Sequence, residues 1–255
     1  MATERLTDSS RAPVFSHLHL LVLGSTLLVY NAPRVFRPPF AHEHNEQGML
    51  RNYRFWYFVF FSIGLALALT NLYFMPWPVV IACGVLSSFA FTYTLPLLPF
   101  KKKKRLRDFG SLKILVLASV WTIATSVLPI LYNNKNISNY FVEILLRFAF
   151  IFTLCVIFDI RDMEADMQQD LYTLPNKMGT SNSYQLINIT LVIFVILSFI
   201  QYARYPIPGR LAGAILTAII TRMVATFLKK KPSDRAYTAL ADGVMLFYSF
   251  IVLIL

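Results

Sequence analysis

The sequence predicts an all-helical integral membrane protein, and three observations carry that reading. Hydrophobic residues make up 56% of the 255 and charged residues only 15%, well below the roughly 25% charged residues of an average soluble domain. The mean hydropathy is +0.57, and 22 Phe and 13 Tyr are more aromatic rings than a soluble core of this size can hide. Apolar runs of bilayer-spanning length also recur along the whole chain, and ~20 such residues cross a membrane as one helix. The alternating ~10-residue segments of a transmembrane β-barrel are absent.

Eight spans follow in order, forming a single membrane domain over residues 1–255. Phe15–Asn31 is the shortest; the polar Met1–Pro13 before it, and the lack of a small-residue cleavage site after it, argue against a removable signal peptide. Phe55–Tyr73 and Trp77–Pro96 come next, the latter containing Cys83. Leu112–Leu131 follows the basic run Lys101-Lys102-Lys103-Lys104-Arg105-Leu106-Arg107. Tyr140–Phe158 contains Cys155 and carries Glu143 and Arg147, an i,i+4 pair in its outer half. Tyr184–Tyr202, Ile207–Leu228 and Tyr237–Leu255 complete the set. The last two hold Arg222 and Asp242 at similar depths, where an ion pair is expected between intramembrane charges. Both cysteines lie inside spans and read as buried thiols, silent about redox compartment.

The net charge of +11 reports orientation here and does not point to nucleic acid. The loops after the first, third, fifth and seventh spans, with Lys113 at the edge of the fourth, hold all Lys and Arg except Arg5, Arg11, Lys135, Arg204, Arg210 and the intramembrane Arg147 and Arg222. These loops are expected on the cytoplasmic face, with the basic run at anionic lipid headgroups.

One loop on that face is acidic. Asp159-Ile160-Arg161-Asp162-Met163-Glu164-Ala165-Asp166 follows the fifth span directly, and Asp170 comes four residues later. Steps of three, four and four put Asp159, Asp162, Asp166 and Asp170 on one stripe of a helix. Like charges on one stripe repel, and a divalent cation removes the repulsion. Mg²⁺ suits the role, because it takes carboxylate oxygens and shares its remaining positions with substrate phosphates. The alternative is a solvated acidic loop, which needs no one-sided spacing.

The stretch Asp159–Gly179, reading Asp-x-x-Asp-x-x-x-Asp and then Thr173-Leu174-Pro175 and Gly179, resembles the second aspartate-rich motif of the UbiA superfamily of membrane prenyltransferases. The resemblance implies a helical bundle that binds an isoprenoid diphosphate through Mg²⁺ and transfers the prenyl group to a lipophilic acceptor. It implies Asp159, Asp162 and Asp166 as catalytic metal ligands, with Asp170 beside them. The superfamily's first motif, Asn-x-x-x-Asp-x-x-x-Asp, belongs four spans earlier. Asn31 stands in that place, but Val35 and Pro39 occupy the two aspartate positions, which implies one acidic cluster where relatives have two.

Basic groups on the same face could meet diphosphate oxygens instead. Arg34 and Arg37 are one turn apart and suit bidentate contact, or they anchor the helix to headgroups. Lys113, in Gly110-Ser111-Leu112-Lys113 at a helix start, together with Arg54, Arg161 and Lys177, could add charge to an anion site or snorkel to the interface. His42-Glu43-His44-Asn45-Glu46 reads as a mixed polar loop. Phe91, Tyr93, Trp121, Phe150, Phe152 and Phe158 could line a chamber that shields an allylic cation. Three readings stay open: prenyl transfer, a terpene cyclase on the same fold, and a catalytically silent binder of isoprenoid or protein. An ion-transport site is weaker, since the acids lie at a span end and transporter sites lie near the midplane.

Overall fold

The computed structural model describes residues 15–36, 47–94, 110–168, 171–230 and 234–254; for 47–54, 91–94, 234, 235, 238, 253 and 254 it describes the backbone only. Among these residues the secondary structure is helical throughout. The elements are α1 (His17–Phe36), α2 (Gln47–Leu72), α3 (Trp77–Thr94), α4 (Gly110–Thr122), a π-helical turn (Ile123–Val127) and α5 (Leu128–Tyr132). A 3₁₀ turn (Ile137–Tyr140), α6 (Phe141–Arg161), α7 (Met163–Gln168), α8 (Leu174–Arg204), α9 (Pro208–Lys230) and α10 (Asp234–Ile254) follow. Taken with the turns that extend them, the long helices stand where the eight spans were expected. Five apolar stretches are long enough to cross a membrane, at Phe55–Leu72, Gly110–Tyr132, Ile137–Arg161, Leu174–Arg204 and Pro208–Lys230, and shorter ones lie at Trp77–Ala90 and Ala239–Val252. The chain is a multi-pass integral membrane protein.

Two compact units divide the described residues, one within Val14–Ala90 and one within Phe91–Leu255. In the smaller, α1 and α2 approach at two glycines. A Cβ on Gly24 would stand 2.7 Å from the Ala68 nitrogen and 2.8 Å from the Gly64 carbonyl oxygen, so only glycine permits this crossing. Small residues at helix crossings are how membrane helices gain packing contacts without a hydrophobic driving force. At one end of the pair, His17 Nδ1 meets Asn71 Oδ1 at 2.8 Å and the imidazole stacks on Phe74.

The larger unit is built around α6, which packs on α4, α8 and α10. Helix α8 shows why this is a membrane fold. Its inward face is Ser183, Ile187, Thr190, Leu191, Phe194 and Ser198, and its exposed face is Ile189, Val192, Ile193, Ile196, Phe199 and Ile200. Serine and threonine point in and large aliphatics point out, the reverse of a soluble amphipathic helix. On α9 all the buried residues but Leu228 are again small: Gly213, Ala214, Thr217, Ala218, Thr221 and Ala225. The buried hydroxyls are satisfied, Thr217 donating to Gly213 O and Thr221 to Thr217 O. Thr153 of α6 donates to Thr190 Oγ1 of α8 at 2.8 Å, an interhelical bond worth about 0.6–2 kcal/mol in a bilayer.

Three expectations are corrected. Arg222 and Asp242 do not pair: both are exposed, and Arg222 donates to Thr226 one turn along its own helix. Phe150 lines no chamber; it is 1% exposed and enclosed by Phe194 and Tyr248. The fourth span is not one regular helix. Pro129 has no N–H to give the carbonyl four residues back, and just before it the chain widens to a π turn, with Leu128 N donating to Ile123 O. The Glu143–Arg147 pair forms as expected, at 3.5 Å and fully buried, with the guanidinium 5.0 Å from the Tyr248 ring centre. Cys83 and Cys155 are free thiols, Cys155 buried and Cys83 partly so.

Candidate active site

The acidic motif begins inside the end of α6. Asp159 sits on the last turn, 4% exposed. The helix stops at Asp162, whose φ of −85° and ψ of 1° leave the helical region. α7 then resumes, with Asp166 N donating to Asp162 O at 2.8 Å. The single acidic stripe expected from spacing is therefore bent at Asp162. Asp159 and Asp166 remain on the inner side, both buried, while Asp162 turns outward. Arg161 holds it there, Nε donating to Oδ1 at 2.7 Å and Nη2 to Oδ2 at 3.2 Å, with the guanidinium lying over the Phe158 ring.

Asp159 and Asp166 converge on one cation, and that cation is Lys113. Its Nζ lies 3.2 Å from Asp159 Oδ1 and 3.1 Å from Asp166 Oδ2. The second oxygen of Asp159, Oδ2, is buried and has no hydrogen-bond donor. An unpaired buried charge-bearing oxygen costs stability, about 1–3 kcal/mol or more, and a cation or donor bound at this point would relieve that cost.

Backbone packing sets this geometry. α4 starts at Gly110, and a Cβ there would collide with the Tyr172 carbonyl. The bare glycine lets the helix start press against the loop after α7, which places Lys113, one turn on, over the carboxylates. Lys177 of α8 returns to the same helix start, donating to Ser111 Oγ at 2.9 Å. Asn176 ties the loop together by donating to Met163 O and Leu171 O. Asn176 Oδ1 and Thr173 Oγ1, like Asp159 Oδ2, are buried without partners. Helix α8 is broken at Gly179, whose φ of 80° and ψ of 162° lie in a region open essentially to glycine alone. The first turn of α8, with Asn176 and Lys177, can thus belong to the site while the rest of the helix follows the bundle.

The remaining expected residues lie elsewhere or beyond the described residues. Asn31 is buried in α1 and donates to Leu27 O, and Arg34 lies 5.0 Å from the Tyr57 ring centre; both belong to the smaller unit. Arg37, His42–Glu46, Lys101–Arg107 and Asp170 fall outside the described residues, as do the side chains of Arg54, Phe91 and Tyr93. Asn176 carries no sequence expectation. Its only signal is its place between Pro175 and Lys177, inside the motif but off the acidic positions.

Among the described residues no three His, Cys, Asp or Glu side chains are grouped to hold a metal ion. Two carboxylates sharing one cation nevertheless suit Mg²⁺, which is usually held by one or two protein carboxylates, with phosphate oxygens and water completing its shell. A small cleft lies at the other end of α6, bordered by Glu143, Tyr202, Tyr205, Arg210 and Tyr248. Glu143 stands about 24 Å along the helix from Asp159 at 1.5 Å per residue and is engaged in the buried pair with Arg147.

Solved structures agree with this architecture. A UbiA homologue from Archaeoglobus fulgidus bound to GPP and Mg²⁺ superposes with a TM-score of 0.65 over 100% of this chain and 94% of that one, at 15% identity. The chain has the UbiA fold. A Cd²⁺-bound UbiA homologue from the same organism matches with a TM-score of 0.56 over 94% of this chain and 100% of that one, at 15% identity. A digeranylgeranylglyceryl phosphate synthase matches at 0.56, with 93% and 84% covered and 15% identity. No protein-family profile matches the chain, and no curated protein matches it in sequence. The UbiA likeness is therefore one of fold, joined to the motif at Asp159–Gly179.

Proposed function

We propose that this protein is a UbiA-type membrane prenyltransferase that takes an isoprenoid diphosphate at the acidic end of α6 and passes the prenyl group to a lipophilic acceptor within the membrane. The observation that carries the proposal is the convergence of Asp159 and Asp166 on one cation, with Asp159 Oδ2 buried and unpaired. On the positive-inside pattern this end faces the cytoplasm, where soluble diphosphates and Mg²⁺ are available.

Asp159 and Asp166 would hold Mg²⁺, with Asp162 as a third carboxylate once Arg161 releases it. When bound, the metal supplies charge to neutralise the leaving diphosphate. Lys113, Arg161 and Lys177 add cationic donors to phosphate oxygens, and Thr173 and Asn176 offer further polar atoms beside the motif. The donor's allylic C–O bond breaks and its electrons leave with the diphosphate. The prenyl carbon forms its new bond to the acceptor, which gives up a proton. Trp121, Phe152 and Phe158, partly buried around the core, would present π-faces to the developing cation. Diphosphate contacts by Asn31, Arg34, Arg37 and Asp170 are part of this proposal on the sequence pattern alone.

Binding of a thio-linked, non-hydrolysable analogue of geranyl diphosphate in detergent tests the site. Affinity is expected to fall at least tenfold when EDTA replaces Mg²⁺, since the diphosphate then meets the carboxylates unscreened. Equal binding with and without metal would remove the carboxylates from the site.

A further inference from the structure

Lys113 does more than add charge near the carboxylates: its ammonium occupies the point where the two buried acids converge. Its Nζ stands 3.2 and 3.1 Å from the two carboxylates, within hydrogen-bonding reach of both, so the ammonium bridges the acids. One positive charge faces two negative ones, and Asp159 Oδ2 has no donor at all. A divalent ion, with carboxylate oxygens at about 2.0–2.1 Å, cannot share this point with the ammonium. Lysine can vacate it, because its charge rides on a flexible four-carbon stem. The start of α4 is packed closely against Tyr172 at Gly110, so the movement required is one of the side chain.

We propose that Lys113 is a built-in counter-ion that closes the acidic site at rest and competes with the divalent metal for Asp159 and Asp166, so that metal loading requires the Lys113 side chain to swing away. The inference rests on the metal–diphosphate reading above and deepens it: the resting site is held together by a lysine, and metal and lysine exchange. The lysine keeps two carboxylates buried at the membrane edge without metal, and it weakens binding of metal alone.

The test is Mn²⁺ binding without any diphosphate, followed by electron paramagnetic resonance on detergent-purified protein. Lys113→Met removes the competitor and is expected to bind Mn²⁺ at least tenfold more tightly than wild type. Lys113→Arg keeps a cation there and is expected to bind no more tightly than wild type. In the unaltered protein, acylation of Lys113 by a small amine-reactive reagent, read by peptide mass spectrometry, should rise when Mg²⁺ is added; this arm does not depend on either variant folding. Unchanged or weaker Mn²⁺ affinity in Lys113→Met, or Lys113 labelling indifferent to Mg²⁺, overturns the exchange. Failure of every form, wild type included, to bind Mn²⁺ with or without the geranyl diphosphate analogue would instead overturn the metal-site reading itself.

Discussion

Asp159→Asn is expected to reduce prenyl transfer by roughly a hundredfold or more, the scale of losing one preorganised charge at a developing transition state, while the protein still folds. The amide keeps the shape of the carboxylate but not its charge, and Asp159 is the acid that both meets Lys113 and keeps a buried oxygen unpaired. Asp166→Asn removes the other half of the converging pair and should behave alike. Asp162→Asn should lose activity in the same direction if Arg161 gives that carboxylate up. Asp242→Asn, at an exposed position on α10, serves as the control with wild-type turnover. Steady-state rates on size-exclusion-homogeneous protein decide the matter. Wild-type turnover by Asp159→Asn would refute the site.

A second large effect is expected at Gly110. Its missing Cβ is what lets α4 begin against the Tyr172 carbonyl, and the atom in the way is backbone, which cannot rotate aside. Gly110→Val must push the helix start off the loop, carrying Lys113 away from Asp159 and Asp166. Overpacking of this kind costs about 1–3 kcal/mol, and here it also strikes the site. The variant should lose activity and unfold at lower temperature in detergent by intrinsic fluorescence, with Gly110→Ala milder in the same direction. Gly84→Ala, with nothing within 4 Å of the added carbon, should match wild type. A Gly110→Val protein as stable and active as wild type would mean that this contact does not position α4.

The membrane class and the place of the helices were legible because lipid imposes long apolar segments, and composition alone betrays them. The acidic motif was legible because like charges at helical spacing demand an explanation. The Glu143–Arg147 pair was legible because i,i+4 geometry is local. What failed was non-local. Arg222 and Asp242 lie at similar depths on adjacent elements, but depth says nothing of the rotation of each helix about its axis, and Arg222 found Thr226 on its own helix. Phe150 has the composition of a chamber wall and the position of a core residue, because aromatic rings serve both purposes. The start of α8 was expected at Tyr184 and occurs at Leu174. Its polar first turns carry no apolar signal, and the break at Gly179 needs a φ that spacing cannot reveal. At the site, Lys113 was singled out as a cation near an anion, but its bridging of Asp159 and Asp166 spans 46 and 53 positions of sequence, a contact that only the fold brings together.

Turnover itself is the decisive test of a prenyltransferase. Purified protein in lipid nanodiscs with Mg²⁺ is incubated with prenyl diphosphates of graded length, with and without aromatic and glycerol-phosphate lipid acceptors, and the lipid extract is read by mass spectrometry. A prenylated acceptor is expected only when donor, acceptor and Mg²⁺ are all present, and none with Asp159→Asn. A hydrocarbon or alcohol formed from the donor alone would assign the fold to cyclisation. Tight donor binding with no product from any acceptor, at every chain length, would contradict the transferase reading and leave a binding protein.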